Sequence, residues 1–151
     1  MENSQLRFLI TDDDEAVRKL TNLLLKRPYP TSQKDFANDG TELVKIVRKS
    51  EQSYSVIISD YKMPNKNGLK ALLELRTSGD LTPAIIQTGT LGDLLDEIST
   101  LSRPEVESLR KIGLIEKPYN PPTALIDITG LAVNNQLPEY DARVIQILAT
   151  K

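Results

Sequence analysis

The chain has no cysteine, no histidine and no tryptophan, and aromatics make up only 5% of its 151 residues. The missing cysteine excludes disulfides, cysteine zinc sites and thiol catalysis. The missing histidine excludes a Ser-His-Asp mechanism, histidine metal ligation and a phosphohistidine carried by this chain. A net charge of −2 leaves no basic face for nucleic acid, because phosphate contacts need clustered Lys and Arg. No apolar run approaches the ~20 residues of a membrane span. Met1 to Gln5 lacks the basic-then-apolar layout of a signal peptide. A cytoplasmic protein that engages neither membrane nor nucleic acid is the expectation.

What the chain does have is an ordinary globular balance, 39% apolar and 26% charged, at the length of one domain. Four short apolar runs each end on a residue able to handle phosphate. Phe8 to Thr11 leads into Asp12-Asp13-Asp14, Val56 to Ser59 into Asp60, Ala84 to Gln87 into Thr88, and Gly113 to Glu116 into Lys117-Pro118. Short runs rich in Ile and Val between helical patterns read as buried parallel strands. In an open parallel sheet the ligand site lies beyond the carboxyl ends of the strands. One sheet edge then collects carboxylates, a hydroxyl and an ammonium, a set suited to a divalent cation and a phosphoryl group.

The pattern along the chain is (βα) five times. A first strand over Leu6 to Thr11 precedes a helix from about Asp14, its N-cap, to Lys26. A polar second strand over Thr31 to Asn38 reads as an exposed edge with Phe36 inward. Helical patterns follow at Thr41 to Lys49 and Leu69 to Ser78. Gly89-Thr90-Leu91-Gly92 reads as loop. Asp93 to Ile112 reads as helix interrupted near Ser102-Arg103-Pro104, with Ser102 as a second cap. Pro118 to Pro122 is a rigid loop. A helix over Thr123 to Val133 has Gly130 as a weak point, and Glu139 to Ala149 is amphipathic. The expected fold is an α/β, doubly wound, three-layer sandwich on a five-stranded parallel sheet, flavodoxin-like, with an extra C-terminal helix. The expected division is 1–136 for the domain and 137–151 for the helical extension.

Over about Leu6 to Val133 the chain resembles the receiver domain of bacterial response regulators. The motifs are Asp12-Asp13 after the first strand, Asp60 after the third with Met63-Pro64 and Gly68 following, Thr88-Gly89 after the fourth, and Lys117-Pro118-Tyr119 after the fifth. Each is weak alone, but in this order at successive strand ends they form a specific signal. The resemblance implies a two-component phosphorelay in which Asp60 accepts a phosphoryl group from a sensor histidine kinase or phosphotransfer protein. It implies Mg2+ held by Asp13, Asp60 and the backbone carbonyl of Lys62, with Asp12 acting mainly through water. Lys117 would pair with a phosphate oxygen, and Thr88 would donate its hydroxyl to another. The implied output is altered affinity for a downstream protein, with homodimerisation open and no enzyme turnover on external substrate.

The chain departs from the family pattern in four places. The stretch from Thr88 to Lys117 is long, and Leu114 stands where many receivers carry an aromatic switch residue. Lys62 and Thr90 occupy positions that tune phosphate lifetime, and the Lys62 ammonium is expected over the phosphorylated site, altering access of hydrolytic water. The segment beyond Leu137 has no counterpart in a minimal receiver, and its apolar stripe calls for burial on the domain or in an interface. Two other classes of function fit parts of the sequence. One is a receiver-like interaction module not regulated by phosphorylation. The other is a haloacid-dehalogenase-type phosphatase using Asp12-x-Asp14, which needs a late acidic pair that nothing after Lys117 supplies.

Overall fold

The computed structural model describes residues 5–120 and 122–151; the sequence expectations for Met1 to Ser4 and for Pro121 within the rigid loop lie outside the described residues. Five strands, β1 (Arg7–Thr11), β2 (Gln33–Ala37), β3 (Val56–Asp60), β4 (Ala84–Thr88) and β5 (Ile112–Glu116), form one parallel sheet in the order β2-β1-β3-β4-β5. The helices are α1 (Glu15–Lys26), α2 (Gly40–Lys49), α3 (Gly68–Thr77), α4 (Leu91–Thr100), α5 (Arg103–Glu107), α6 (Ala124–Val133) and α7 (Ala142–Ala149). This is the expected doubly wound, flavodoxin-like sandwich with an extra C-terminal helix.

Alternation along the strands divides the core into two layers. Phe8, Ile10, Val56, Ile58 and Ile85 pack with Leu25 of α1 and with Leu125 and Ala132 of α6. Leu9, Ile57 and Ile86 face the other way, toward Leu43 of α2, Leu72 of α3, Leu94 and Ile98 of α4, and Val106 of α5. Helix starts follow their caps. Asp14 Oδ1 accepts from Ala16 N at 2.9 Å, and Asp39 Oδ1 from Glu42 N at 2.8 Å. Ser102 and Glu105 form a reciprocal capping box at α5, as the Ser102 signal suggested.

Four features differ from expectation. Phe36 does not point inward: it is 41% exposed, while Ala37 is 1% exposed and joins the core with Leu43 and Val44. The strand's inner set is therefore one residue out of phase with the prediction. Helix α4 begins at Leu91 rather than Asp93, because Thr90 serves as N-cap without a side-chain capping bond. The helical stretch after Ser102 stops at Glu107, and β5 takes Ile112. Helix α7 begins only after Asp141, whose carboxylate accepts from Arg143 N at 2.9 Å. Glu139 and Tyr140 instead dock the chain: Glu139 O accepts from Lys111 N at 2.9 Å, and Tyr140 Oη donates to Glu107 O at 2.7 Å. Helix α6 runs unbroken through Gly130.

The apolar stripe of α7 is buried on the domain. Val144 is 3% exposed and belongs to the same cluster as Leu94, Ile98 and Leu114, with Ile147 and Leu148 packed at its margin. Arg143 Nη2 donates to Leu114 O at 2.9 Å, so the outer side of edge strand β5 is covered by the chain's own tail.

Candidate functional site

Strand register alone sets side by side the residues expected to handle phosphate. Thr11 pairs with Ser59, Asp60 with Gln87, and Thr88 with Glu116. Asp12, Asp60, Thr88 and Lys117 therefore emerge along one edge, at adjacent strand ends. Lys117 N donates to Thr88 O at 2.8 Å, extending the β4–β5 ladder one step into the site.

Carboxylate oxygens of Asp12, Asp13 and Asp60 lie within 4.8 Å of one another. Asp13 is exposed, Asp60 half-buried, and Asp12 only 2% exposed. Asp12 Oδ1 accepts from Asp14 N at 2.9 Å, and Asp12 O accepts from Arg18 Nη1 at 2.6 Å. Asp12 Oδ2 is buried without a hydrogen-bond partner. Lys117 Nζ stands 3.8 Å from that oxygen and 3.7 Å from Asp60 Oδ1. These are ion-pair separations beyond hydrogen-bond reach, so one ammonium serves two carboxylates loosely.

Burial pushes the Asp12 carboxyl up to about 6, helped by Asp60 and Asp13 and opposed by the Asp14 amide and Lys117. Asp60 is raised for the same leading reason, with Lys117 and the Tyr61 amide opposing. Three close carboxylates and one shared cation leave negative charge that burial penalises. An unpartnered buried oxygen beside two more carboxylates is a donor set of hard oxygens, and it fits a hydrated divalent cation such as Mg2+. Asp12, Asp13 and Asp60 are the side chains that could hold it. The cluster contains Asp60, which the phosphatase reading leaves unused.

The loops around this cluster are held by close packing. Gly68 N donates to Tyr61 O at 2.8 Å, and a Cβ on Gly68 would lie 2.1 Å from Asp60 O. Only glycine lets the start of α3 approach the end of β3 this closely. Thr88 Oγ1 accepts from Thr90 N at 3.0 Å and lies 3.1 Å from Thr90 Oγ1, a local turn that holds the hydroxyl at the head of α4. Lys62 Nζ pairs with Asp93 Oδ2 at 2.5 Å, which engages the ammonium with α4 while Asp60 is unmodified.

Several contributors were not singled out from the sequence. Buried Gln87 accepts a hydrogen bond from Tyr119 Oη and donates to Thr21 Oγ1 at 3.2 Å, tying the Lys117 loop to α1. Burial, then Asp12 and Asp60, push the Tyr119 phenol up to about 12, so it is a constant donor. The single signal for Gln87 is a polar residue inside the run Ala84 to Thr88. Arg18, one turn into α1, carries none beyond its spacing from Asp12. Tyr61 and Glu97 are bonded at 2.7 Å across 36 residues, a pairing with no local signature.

Comparison with known proteins adds a family model, described as "Response regulator receiver domain", that matches residues 8–128. The CAI-1 autoinducer sensor kinase/phosphatase CqsS of Vibrio cholerae is 31% identical over 106 residues, covering 59% of this chain and 15% of that protein. Response regulator MprA of Mycobacterium leprae is 31% identical over 83 residues, covering 55% of this chain and 35% of that protein. The chain thus spans well under half the length of these curated relatives. Chemotaxis response regulator CheY4 of Vibrio cholerae superposes with a TM-score of 0.65 at 23% identity, over 85% of this chain and 99% of that one. The signal receiver domain of an HD domain-containing protein from Pseudomonas fluorescens Pf-5 reaches 0.69 at 20% identity, over 90% and 92%. At these identities the solved structures speak for the fold.

Proposed function

The chain belongs to the response regulator receiver domain family of two-component signalling, and from that premise we propose that Asp60 is its phosphoacceptor. The observation that carries the proposal is the buried, under-compensated cluster of Asp12, Asp13 and Asp60 beside Lys117. An oxygen of the Asp60 carboxylate attacks phosphorus, the new O–P bond forms, and the P–N bond to the donor imidazole breaks. The electron pair leaves with that nitrogen. The donor histidine belongs to a sensor histidine kinase or a phosphotransfer protein, since this chain has none.

Phosphoryl transfer depends on positioning and charge neutralisation more than on covalent help from side chains. Lys117, already 3.7 Å from Asp60 Oδ1, supplies an ammonium to the phosphate oxygens. The Thr88 hydroxyl donates to another oxygen after leaving its turn with Thr90. Asp12, Asp13, Asp60 and the Lys62 backbone carbonyl would hold Mg2+, which when bound offsets charge on the acceptor and the phosphoryl group. The same groups assist loss of the phosphate, so turnover is confined to the protein's own acyl phosphate. The output is a change in affinity for a protein target in the cytoplasm, a homodimer being one form it takes. No described helix is long and apolar enough to cross a membrane.

Incubation with Mg2+ and acetyl phosphate, followed by peptide mapping, tests this reading. The expected result is one alkali-labile phosphoryl group on the peptide that contains Asp60. A label on another peptide removes Asp60 as the acceptor, and no label at all replaces the reading with an interaction module that does not use phosphate.

A further inference from the structure

The acceptor loop is bound to α4 by side chains at two successive turns of that helix. Tyr61 directly follows Asp60. Its N–H donates to Asp60 Oδ1 at 2.8 Å, its side chain is 5% exposed, and its hydroxyl donates to Glu97 Oε1 at 2.7 Å. The same Glu97 oxygen accepts from Asn67 Nδ2 at 3.1 Å, while Asn67 Oδ1 caps α3 by accepting from Lys70 N at 2.8 Å. Glu97 therefore joins the residue after the acceptor, the start of α3 and the middle of α4. One turn earlier Asp93 takes the Lys62 ammonium at 2.5 Å.

Residues four apart share a helix face. Asp93 and Glu97 face the acceptor loop, while Leu94 and Ile98, one position on, are buried with Leu114 of β5 and Val144 of α7. Helix α4 is thus gripped by the acceptor loop on one face and by the tail helix on the next. Leu114 has no polar side-chain atom with which to report a change at Thr88. Tyr61 does, and it sits beside the carboxylate that would be modified.

We propose that Tyr61 is a positioning residue that couples the state of Asp60 to the placement of α4 and, through α4, of α7. The proposal rests on the phosphoacceptor reading. A phosphoryl group on Asp60 presents Lys62 with a second anion in competition with Asp93. The Lys62–Asp93 pair is more than half exposed on both sides, and such pairs contribute little and exchange readily. Its release removes the cation from an acidic stretch that also contains Asp96 and Glu97, while Tyr61 and Asn67 keep hold of Glu97. Helix α4 is then free to turn about the retained contact, and the Leu94–Ile98 face carries that motion to Val144.

Hydrogen–deuterium exchange on the full chain, with intact mass recorded in parallel, provides the test. Tyr61→Phe keeps the ring and removes only the hydroxyl; Glu97→Gln keeps an acceptor oxygen. Without phosphate, Tyr61→Phe should raise exchange in residues 91–100 roughly fivefold, as expected for one lost hydrogen bond, with β1 and β3 unchanged. Glu97→Gln should not. With Mg2+ and acetyl phosphate, the wild type should change exchange in both 91–100 and 142–149. Tyr61→Phe should take up the same phosphate and lose the change in 142–149. Unaltered exchange in 91–100 of unmodified Tyr61→Phe overturns the proposal, as does a full response of 142–149 in phosphorylated Tyr61→Phe. A wild type that takes up no phosphate removes the phosphoacceptor reading alone, and the unmodified arm still decides whether the Tyr61–Glu97 contact holds α4.

Discussion

The two ends of the sheet treat buried charge in opposite ways. At the amino end, Arg76 is 5% exposed and its guanidinium donates to four backbone carbonyls, those of Arg110, Asp80, Thr82 and Lys111. Burial lowers its pKa only to about 10, so it stays charged with its donors engaged. At the same end of β1, Arg7 lies 4.5 Å over the Tyr54 ring and pairs with Asp35, which also accepts from Tyr54 Oη. At the carboxyl end, Asp12 Oδ2 is buried and unpartnered, and Lys117 divides itself between two carboxylates. Satisfied buried charge rigidifies a fold. Buried charge left under-compensated marks a candidate ligand site.

Substitutions at the two ends should therefore differ in sign. The largest effect is expected for Arg76→Met, which strands several buried carbonyls at the α3–β4 and α5–β5 turns. A loss of about 3–5 kcal/mol is expected from urea midpoints. A loss under about 1 kcal/mol would break the contrast. Asp60→Asn should do the reverse and stabilise the metal-free protein by roughly 1–3 kcal/mol, because it removes a charge that burial disfavours. Mg2+ should narrow that gap by stabilising the wild type alone.

The folded-state pKa of Asp12 is raised from 3.8 to about 6, so between these values the folded state binds more protons than the unfolded one. The contribution of this group to stability is therefore greatest below about 4 and falls as pH rises toward 6. The difference between wild type and Asp12→Asn should vary across that window by up to about 3 kcal/mol, and be level above it. A difference that does not vary with pH would show that Asp12 is compensated after all. The smallest effect on stability belongs to Lys62→Ala. The Lys62–Asp93 pair is exposed, so urea midpoints should move by less than about 1 kcal/mol, while the dephosphorylation rate of the loaded protein changes. An unchanged rate would remove Lys62 from the tuning of phosphate lifetime.

The under-compensated end was also the more legible one. Asp12, Asp13, Asp60 and Lys117 could be placed together because each follows a strand-like run, and parallel strands deliver their ends to one edge. The caps Asp14 and Ser102 were legible because capping is local. Phe36 was misplaced because β2 is polar on both faces and carries no period from which to read an inward side. The start of α4 was missed because Thr90 makes no capping bond there; its hydroxyl lies against Thr88. The Glu97 latch and the Arg76 cage were illegible for a different reason. Their partners are up to 36 residues away in sequence, and only the folded chain brings them into range.

The most direct test of the central claim is phosphoryl uptake by intact mass, comparing the wild type in Mg2+, the wild type in chelator, and Asp60→Asn in Mg2+, each with acetyl phosphate. The under-compensated carboxyl edge predicts one phosphoryl group per chain in the first case and little or none in the other two. Equal uptake by Asp60→Asn, or uptake indifferent to the cation, would contradict it.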